Sequence, residues 1–269
     1  MIPAAFEYER AGSVDEAIEL LQRADDAKLI AGGHSLLPLL KLRFARPSLL
    51  VDISRIDELR YVREDGDRIA IGALSRHADL ALDAVLAAGC GLMARVAGNV
   101  GDPQVRHRGT IGGSVSHGDP ASDLGTVLLM LDADFVARGP GGERTIPGSE
   151  FFTGPFDTAL GPHEVLTELR VPKVEGGRYL KHVRRAQDWA TVAVAAARVN
   201  GGVNVGLAGM GGTPLRARAV EQAVAGGASP ADAAEHAAEG AEPSSDFAGS
   251  AEYRSHLARV LTRQALEQI

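Results

Sequence analysis

An α+β fold is what this sequence predicts: two α/β subdomains in succession, then a domain of antiparallel sheet backed by helices. Three observations predict it. Up to about residue 57, short apolar strands alternate with amphipathic helical runs. A second alternation of strand and helix signals follows, to about residue 176. From residue 177 the texture changes to long β-rich runs joined by Gly201-Gly202, with helical segments after them. The implied division is 1–176, with subdomains of about 1–57 and 58–176, and 177–269. A chain of 269 residues suits several packed units better than one.

The elements follow in order. Ser13-Val-Asp-Glu16 is a capping box, and Ala17, Ile18, Leu20 and Leu21 share one helical face, so a helix is predicted over 14–23. "AKLIA" (27–31) reads as a buried strand, "LLPLLKLR" (36–43) as a helix with Pro38 in its first turn, and "SLLVDIS" (48–54) as a strand. In the second unit "RIAIGAL" (68–74) is a strand, and Ser75 caps the helix after it. Residues 83–98 and 121–133 are apolar helices, and "DFVARG" (134–139) and "VLTELRVP" (165–172) are strands. Beyond residue 177, "RYLKHVRR", "TVAVAAARV" and "VNVGLAGM" are strands. Three helices are expected after them: one capped by Thr213 with Pro214 first, one after Ser229-Pro230, and one from Ser250 with Tyr253, Leu257, Val260, Leu261 and Ala265 inward. The Ala/Gly/Ser-rich stretch 226–249 reads as a loose connection, and Trp189 as core packing.

Composition narrows the function. The net charge of -7 argues against a nucleic-acid face, and no apolar run reaches the length of a membrane span. "MIPAAFEYERAGS" lacks a basic start and an apolar core, so a cytoplasmic location is expected. The single cysteine, Cys90, excludes a four-cysteine iron–sulfur cluster within this chain and reads as a buried small residue. His34, His107 and His117 match no common zinc spacing, so no metal is expected. No catalytic triad, nucleophile elbow or carboxylate pair stands out, so no catalytic residue is assigned.

Two stretches of one design remain: "IAGGHSLLP" (30–38) and "GTIGGSVSHG" (109–118), with glycine pairs about eighty residues apart. Glycine admits positive φ and close approach to a ligand. Consecutive amides in such a turn form a donor cluster for anionic oxygens, and the first turn also precedes a helix N-terminus. Ser35, Thr110 and Ser114 add hydroxyl donors. Neither the P-loop nor the G-x-G-x-x-G spacing is present, since "GMGGTP" breaks at Pro214. On spacing alone two readings stand: a pyrophosphate cradle from both turns, or two ordinary strand-to-loop turns. Asp123, likewise, reads equally as a helix cap.

At these residues the chain resembles a known family. "AGGHSLLPLLKLR" (31–43) and "DPQVRHRGTIGGSVSHGDPASDL" (102–124) are similar to the two flavin motifs of the FAD-binding subunit of molybdenum hydroxylases, above all the medium subunit of aerobic carbon monoxide dehydrogenases and their relatives. "LTELRVP", "YLKHVRRAQDWATVAVAAA" and "GSAEYRSHLARVLTRQAL" extend the resemblance over essentially the whole chain. It implies the PCMH-type FAD-binding fold, with FAD between the N-terminal subdomain pair and the C-terminal domain.

The resemblance also implies a site. Ala31, Gly32, Gly33, His34, Ser35 and Leu36 would contact the pyrophosphate and neighbouring parts of FAD, and Thr110, Ile111, Gly112, Gly113 and Ser114 would supply the second loop. Asp123 matches the family's carboxylate at the cofactor, Leu166 and Lys181 line the flavin site, and Tyr179 matches an aromatic near the ring. Two departures from the commonest pattern are His107, where "VRNRG" has Asn, and Gly118, where "HADP" has Ala. The implied activity is an oxidoreductase subunit. A molybdenum–molybdopterin large subunit oxidises substrate, a small subunit carries two [2Fe–2S] clusters, and FAD passes electrons to a quinone, oxygen or NAD. A self-sufficient FAD oxidase, or an assembly protein that has kept the fold, are the competing classes.

Overall fold

Three parallel strands open the chain, whose computed structural model describes residues 1–269. They are β1 (Glu7–Arg10), β2 (Lys28–Ile30) and β3 (Leu49–Asp52), in the order β1-β3-β2, with helices α1 (Val14–Leu21) and α2 (Leu36–Leu42) between them. The spacing of Val14, Ala17, Ile18 and Leu21 puts all four on the face of α1 that packs on Leu49 and Val51 of β3. Ser13 caps the helix, its Oγ accepting from the Glu16 amide at 3.1 Å, but the Glu16 carboxylate accepts from Gly12 N at 2.7 Å, one residue earlier than a capping box requires. Strand β1 was not legible. "EYER" has no alternation because it is an exposed edge, paired to β3 alone. Parallel pairing puts the carboxyl ends of β2 and β3 at one margin, where such sheets present their ligand crevice.

The middle unit is an antiparallel sheet with helices on it. The hairpin β4 (Val62–Asp65) and β5 (Arg68–Gly72) leads into α3 (His77–Leu82), α4 (Ala84–Asn99), α5 (Pro103–Arg108), α6 (Ile111–Ser116) and α7 (Asp123–Met130). The chain returns through β6 (Asp134–Gly139), β7 (Gly142–Pro147), α8 (Gly148–Phe151), the short pair β8 (Phe152–Gly154) and β9 (Asp157–Thr158), and β10 (Val165–Pro172). The sheet order is β4-β5-β10-β6-β7. Two expectations are corrected here. Ser75 does not cap α3, because its hydroxyl donates to the Tyr61 carbonyl at 3.0 Å and Arg76 takes the cap position. Helix α4 is broken at Cys90 (φ -148°, ψ 66°), where the Gly89 carbonyl accepts from Val174 N at 2.8 Å beyond β10. The Cys90 thiol is fully buried, and burial pushes its pKa up to about 11.

The last unit is the antiparallel sheet β11 (Arg178–His182), β12 (Val192–Val199), β13 (Gly202–Ala208) and β14 (Leu215–Arg216). Behind it lie α9 (Arg218–Ala225), α10 (Pro230–Ala234) and α11 (Ala251–Leu266). Strand β12 explains its own composition. Ala195, Ala197 and Val199 join the large core under α7, while Val192, Val194 and Ala196 join the core under α11, so both faces are apolar. Helix α7 is buried from Leu124 to Met130, packing against β12 and β13 of this sheet and against α4 and α6 of the middle unit.

Four readings fail in this unit. Thr213-Pro214 starts no helix: strand β14 intervenes, and α9 begins at Arg218 after an Ala217 cap. The inward face of α11 is Leu257, Ala258, Thr262, Ala265 and Leu266, with Tyr253 and Val260 exposed, because small Ala258 and Thr262 let the helix lie close on the alanine strand. Buried Arg254 turns the helix that way, donating to both Asp246 oxygens at 2.8 Å. Residues 226–249 are not a loose connection, since α10 and a 3₁₀ turn there (Glu235–Ala238) bury Ala233, Ala234 and Ala237. Trp189 is 72% exposed rather than core, carried out on the loop between β11 and β12. No helix is long and apolar enough to cross a membrane.

Candidate functional site

The two glycine stretches touch at Gly32. A Cβ there would lie 2.3 Å from the Arg108 carbonyl oxygen and 2.9 Å from Gly109 Cα, so only glycine lets these backbones meet. Gly33 turns the chain at φ 78°. The amides of Gly32, Gly33, His34, Ser35 and Leu36 donate to no backbone acceptor, and the first to do so is Leu37 N, to Gly33 O at 2.9 Å. Residues 32–36 are all at least partly open to solvent. Five consecutive donors at the carboxyl end of β2 suit an anionic oxygen-rich group.

The second stretch is built differently. Thr110 caps α6, its Oγ1 accepting from Gly113 N at 3.2 Å. Ile111 N donates to Ser75 O at 3.0 Å, Gly112 N to Ala73 O at 2.8 Å, and Ser114 N to Thr110 O at 3.0 Å. A Cβ on Gly112 would lie 2.6 Å from Ala73 Cβ, so this glycine serves packing. The expectation of two donor turns of one design is therefore corrected. The capping hydroxyl and the Ala73 contact outweigh the freedom of the glycine pair, and the stretch becomes a helix start with its amides engaged. Beneath it His77, 3% exposed, donates its amide to Gly109 O at 3.1 Å. Burial first, then the charges of Arg106 and His34, push the His77 pKa down to about 4, and its Nδ1 has no partner.

On the side of the C-terminal sheet, Asp123 meets Tyr179 and Lys181. Asp123 opens α7 without capping it, since Ser122 Oγ accepts from Gly125 N at 3.1 Å. Tyr179 and Lys181, two apart on β11, share one face. The Tyr179 hydroxyl donates to Asp123 Oδ1 at 2.5 Å and the Lys181 ammonium to Oδ2 at 2.9 Å. Burial, then the adjacent carboxylate, holds the Tyr179 phenol well above its ordinary range, so it stays neutral and donates. A cleft of about 320 Å³ opens here, lined by Asn99, Gly101, Tyr179, Lys181 and Gln187 among others.

A larger cleft of about 520 Å³ lies beside the glycine stretches, with Ala31 and Thr110 in its wall next to Arg55, Arg60, Arg76 and Arg108. Sequence reasoning missed these arginines, although Arg108 of "VRHRG" directly precedes the second glycine stretch. Asn99, Gly101 and Gln187 carried no signal at all. Leu166, on β10 opposite Ala137, is buried in the large core and lines neither cleft. No three His, Cys, Asp or Glu side chains are grouped to hold a metal ion.

Comparison with known proteins matches residues 4–174 to the FAD binding domain in molybdopterin dehydrogenase, and residues 178–269 to the CO dehydrogenase flavoprotein C-terminal domain. The carbon monoxide dehydrogenase medium chain of Hydrogenophaga pseudoflava is 41% identical over 99% of this chain and 97% of that one. The glyceraldehyde dehydrogenase medium chain of Sulfolobus acidocaldarius is 37% identical over the full length of both. Among solved structures, carbon monoxide dehydrogenase from H. pseudoflava lacking the Mo-pyranopterin moiety of its cofactor superposes with a TM-score of 0.95 at 43% identity, covering 99% of this chain and 98% of that one. Quinoline 2-oxidoreductase from Pseudomonas putida 86 gives 0.94 at 30% identity, covering 100% and 98%. With both family domains matched end to end on one fold, this chain belongs to the FAD-binding medium subunits of the carbon monoxide dehydrogenase and molybdenum hydroxylase family of oxidoreductases.

Proposed function

We propose that the chain is a cytoplasmic electron-transfer subunit: it holds FAD, takes electrons from the [2Fe–2S] clusters of a small partner chain, and passes them to a quinone, oxygen or NAD. In this reading a molybdenum-containing large chain oxidises the substrate, and the single buried cysteine here fits clusters carried elsewhere. The observation that carries the proposal is the row of five unengaged amides, 32–36, held against the second glycine stretch by a contact only glycine permits. The residues present fit FAD: an anion-binding backbone, a basic cleft beside it, and a polar cluster under a second cleft.

FAD, when bound, supplies the exchange between two-electron and one-electron chemistry; the chain supplies binding, orientation and local charge. Residues 1–176 form the carrier in this proposal, and 177–269 close it. Ala31, Gly32, Gly33, His34, Ser35 and Leu36 take the pyrophosphate. Thr110, Ile111, Gly112, Gly113 and Ser114 supply the second loop of the site, with Thr110 in the wall of the larger cleft. Asp123, Tyr179 and Lys181 form the ring side, with Leu166 in the core. Asp123 holds Lys181 and Tyr179 in fixed directions, so the remaining Lys181 N–H donors and the Tyr179 hydroxyl oxygen are set before any ligand arrives.

The test is a mixing experiment. Purified chain loaded with FAD is offered small organic substrates anaerobically, and the flavin absorbance is followed. Bleaching is expected only after the molybdenum and iron–sulfur chains are added. Rapid bleaching by substrate with no partner present would instead make this a self-sufficient flavoenzyme. Absence of flavin bands even after FAD is supplied would remove the carrier reading altogether.

A further inference from the structure

Helix α2, "LLPLLKL", is apolar all round except at Lys41, a composition that belongs in a core, yet it buries only Leu40. Leu37, Pro38, Lys41 and Leu42 are exposed, which is the spacing of one helical face, and Phe44 just beyond is 80% exposed. Exposed Ile2 is held beside this face, its carbonyl accepting from Arg43 Nε at 3.4 Å. The rim is basic. No acidic residue occurs between 36 and 47, and Arg43 and Arg46 donate to backbone carbonyls rather than to carboxylates. Elsewhere in this acidic chain carboxylates answer arginines closely, as Asp246 answers Arg254 and Glu164 answers Arg144.

We infer that this face of α2 docks the iron–sulfur partner chain. An apolar patch of that chain covers Leu37, Leu42 and Phe44, and its carboxylates answer Lys41, Arg43 and Arg46. The inference rests on the reading of the chain as an FAD carrier fed by such a partner. Three observations carry it. The first is position. Helix α2 continues the row of open amides without a break, and Leu37 folds back on that row, since a Cβ on Gly33 would lie 3.0 Å from Leu37 Cδ1. Whatever covers Leu37 therefore stands beside the open amides. Electrons cross efficiently only between centres that lie close together, so the chain that delivers them belongs there, whereas the chain that oxidises substrate can stand further off. The second is grouping. Large apolar side chains exposed singly are ordinary, but several on one face with a polar rim mark an interaction site. The third is charge. Cations without partners around an apolar centre select an acidic surface and hasten its approach. They also disfavour a second copy of this chain, because a two-fold contact through this face would set like charges opposite one another.

The experiment co-expresses the full chain with the iron–sulfur and molybdenum chains and places a photocrosslinker on the face, as Phe44→p-benzoylphenylalanine. Illumination of the assembled complex should join that position to the iron–sulfur chain. Crosslinks only to the molybdenum chain, only to a second copy of this chain, or to nothing would overturn the inference. Affinity for the iron–sulfur chain is then measured on variants. Leu42→Glu with Phe44→Glu should weaken it by about a hundredfold, with flavin content and thermal melt as in the parent. Lys41→Glu with Arg46→Glu should weaken it by about tenfold and flatten its salt dependence, while Phe44→Leu should keep it. Parental affinity in both double variants removes the docking face and leaves the carrier reading standing. If the parent assembles with neither chain, the carrier reading falls and the docking face falls with it. Sedimentation with anionic phospholipid vesicles supplies the last control. Vesicle binding that Leu42→Glu with Phe44→Glu abolishes, while assembly persists, would give the face to a membrane instead.

Discussion

Gly32-Gly33 and Gly112-Gly113 look alike in sequence and behave as opposites in the fold. Around the first pair the backbone is open: one glycine sits at φ 78°, and five successive amides are unengaged. Around the second, the amides of Ile111, Gly112, Gly113 and Ser114 are all bonded, and Gly112 is wedged against Ala73. One pair is kept for what its amides offer, the other for what its missing side chain allows. The difference teaches that a glycine pair announces a constraint without saying which kind, because absent Cβ atoms serve conformation and packing equally.

The comparison breaks or sharpens under substitution, and Gly112→Val is the severest case. Its Cβ would lie 2.6 Å from Ala73 Cβ and 2.7 Å from Ala73 O, on the buried residue that directly follows β5. Overpacking of that kind should cost about 3 kcal/mol or more and lower the melting temperature by roughly 10 °C, with FAD lost as a consequence. A calorimetric scan of the FAD-free variant checks this: an unshifted melt would place Gly112 among the ligand-facing glycines instead.

Gly33→Val should separate the two roles. The added Cβ meets the flexible side chain of Leu37 at 3.0 Å and Ile30 Cδ1 at an ordinary 3.6 Å, so the strain comes from φ 78° and should be about 1–3 kcal/mol. Flavin retention should fall further than stability does. Equilibrium dialysis against FAD beside a melt measures both. A variant that melts early yet still binds FAD tightly would make the first pair structural too.

The third effect is a pH dependence set by His77, which opens α3 and donates its amide to Gly109 O of the second stretch. His77 has an ordinary pKa of 6.5 and is held at about 4 by burial, with Arg106 and His34 adding to it. Between those values the unfolded chain binds a proton that the folded chain refuses, so stability falls as pH falls from 6.5 towards 4 and the loss is complete below that. The slope should approach about 1.4 kcal/mol per pH unit at its steepest. Denaturant titrations at several pH values should show that slope in the parent and a flatter one in His77→Gln. Equal slopes would mean that His77 is free to protonate in place.

What the sequence disclosed follows the same division. Periodic apolar spacing made α1 and three strands of the large sheet, β5, β6 and β10, readable, and Ser-Pro made α10 readable, because burial and caps act locally. Strand β1 was invisible because an exposed edge strand needs no apolar residues. The exposure of Trp189 and the turn of α11 were invisible because they depend on what lies across the fold, above all the buried Arg254–Asp246 pair. At the site the motifs pointed to Gly32, Gly112 and Asp123, but which amides are open follows from Thr110, Ser75 and Ala73, whose partners are set by tertiary contact. The arginines of the larger cleft are scattered over more than fifty positions, from Arg55 to Arg108, and only the fold collects them.

The smallest effect tests the comparison most finely. Thr110 stands at the junction of both roles: its Oγ1 caps α6 through Gly113 N at 3.2 Å, while its own amide donates to no backbone acceptor. If the hydroxyl serves the helix, Thr110→Ala loses a cap worth about 1 kcal/mol, and the melting temperature should fall by roughly 2–4 °C. Thr110→Ser, which keeps the oxygen, should recover most of that. Thr110→Ala also frees the Gly113 amide, giving the second stretch one more donor, so FAD affinity should change by less than roughly tenfold. Should the hydroxyl instead serve a ligand, the order reverses: the alanine variant would lose FAD first and melt as the parent does, with serine restoring binding. Measuring both quantities on the same two variants decides between them, since a cap moves the melt and a ligand contact moves the affinity.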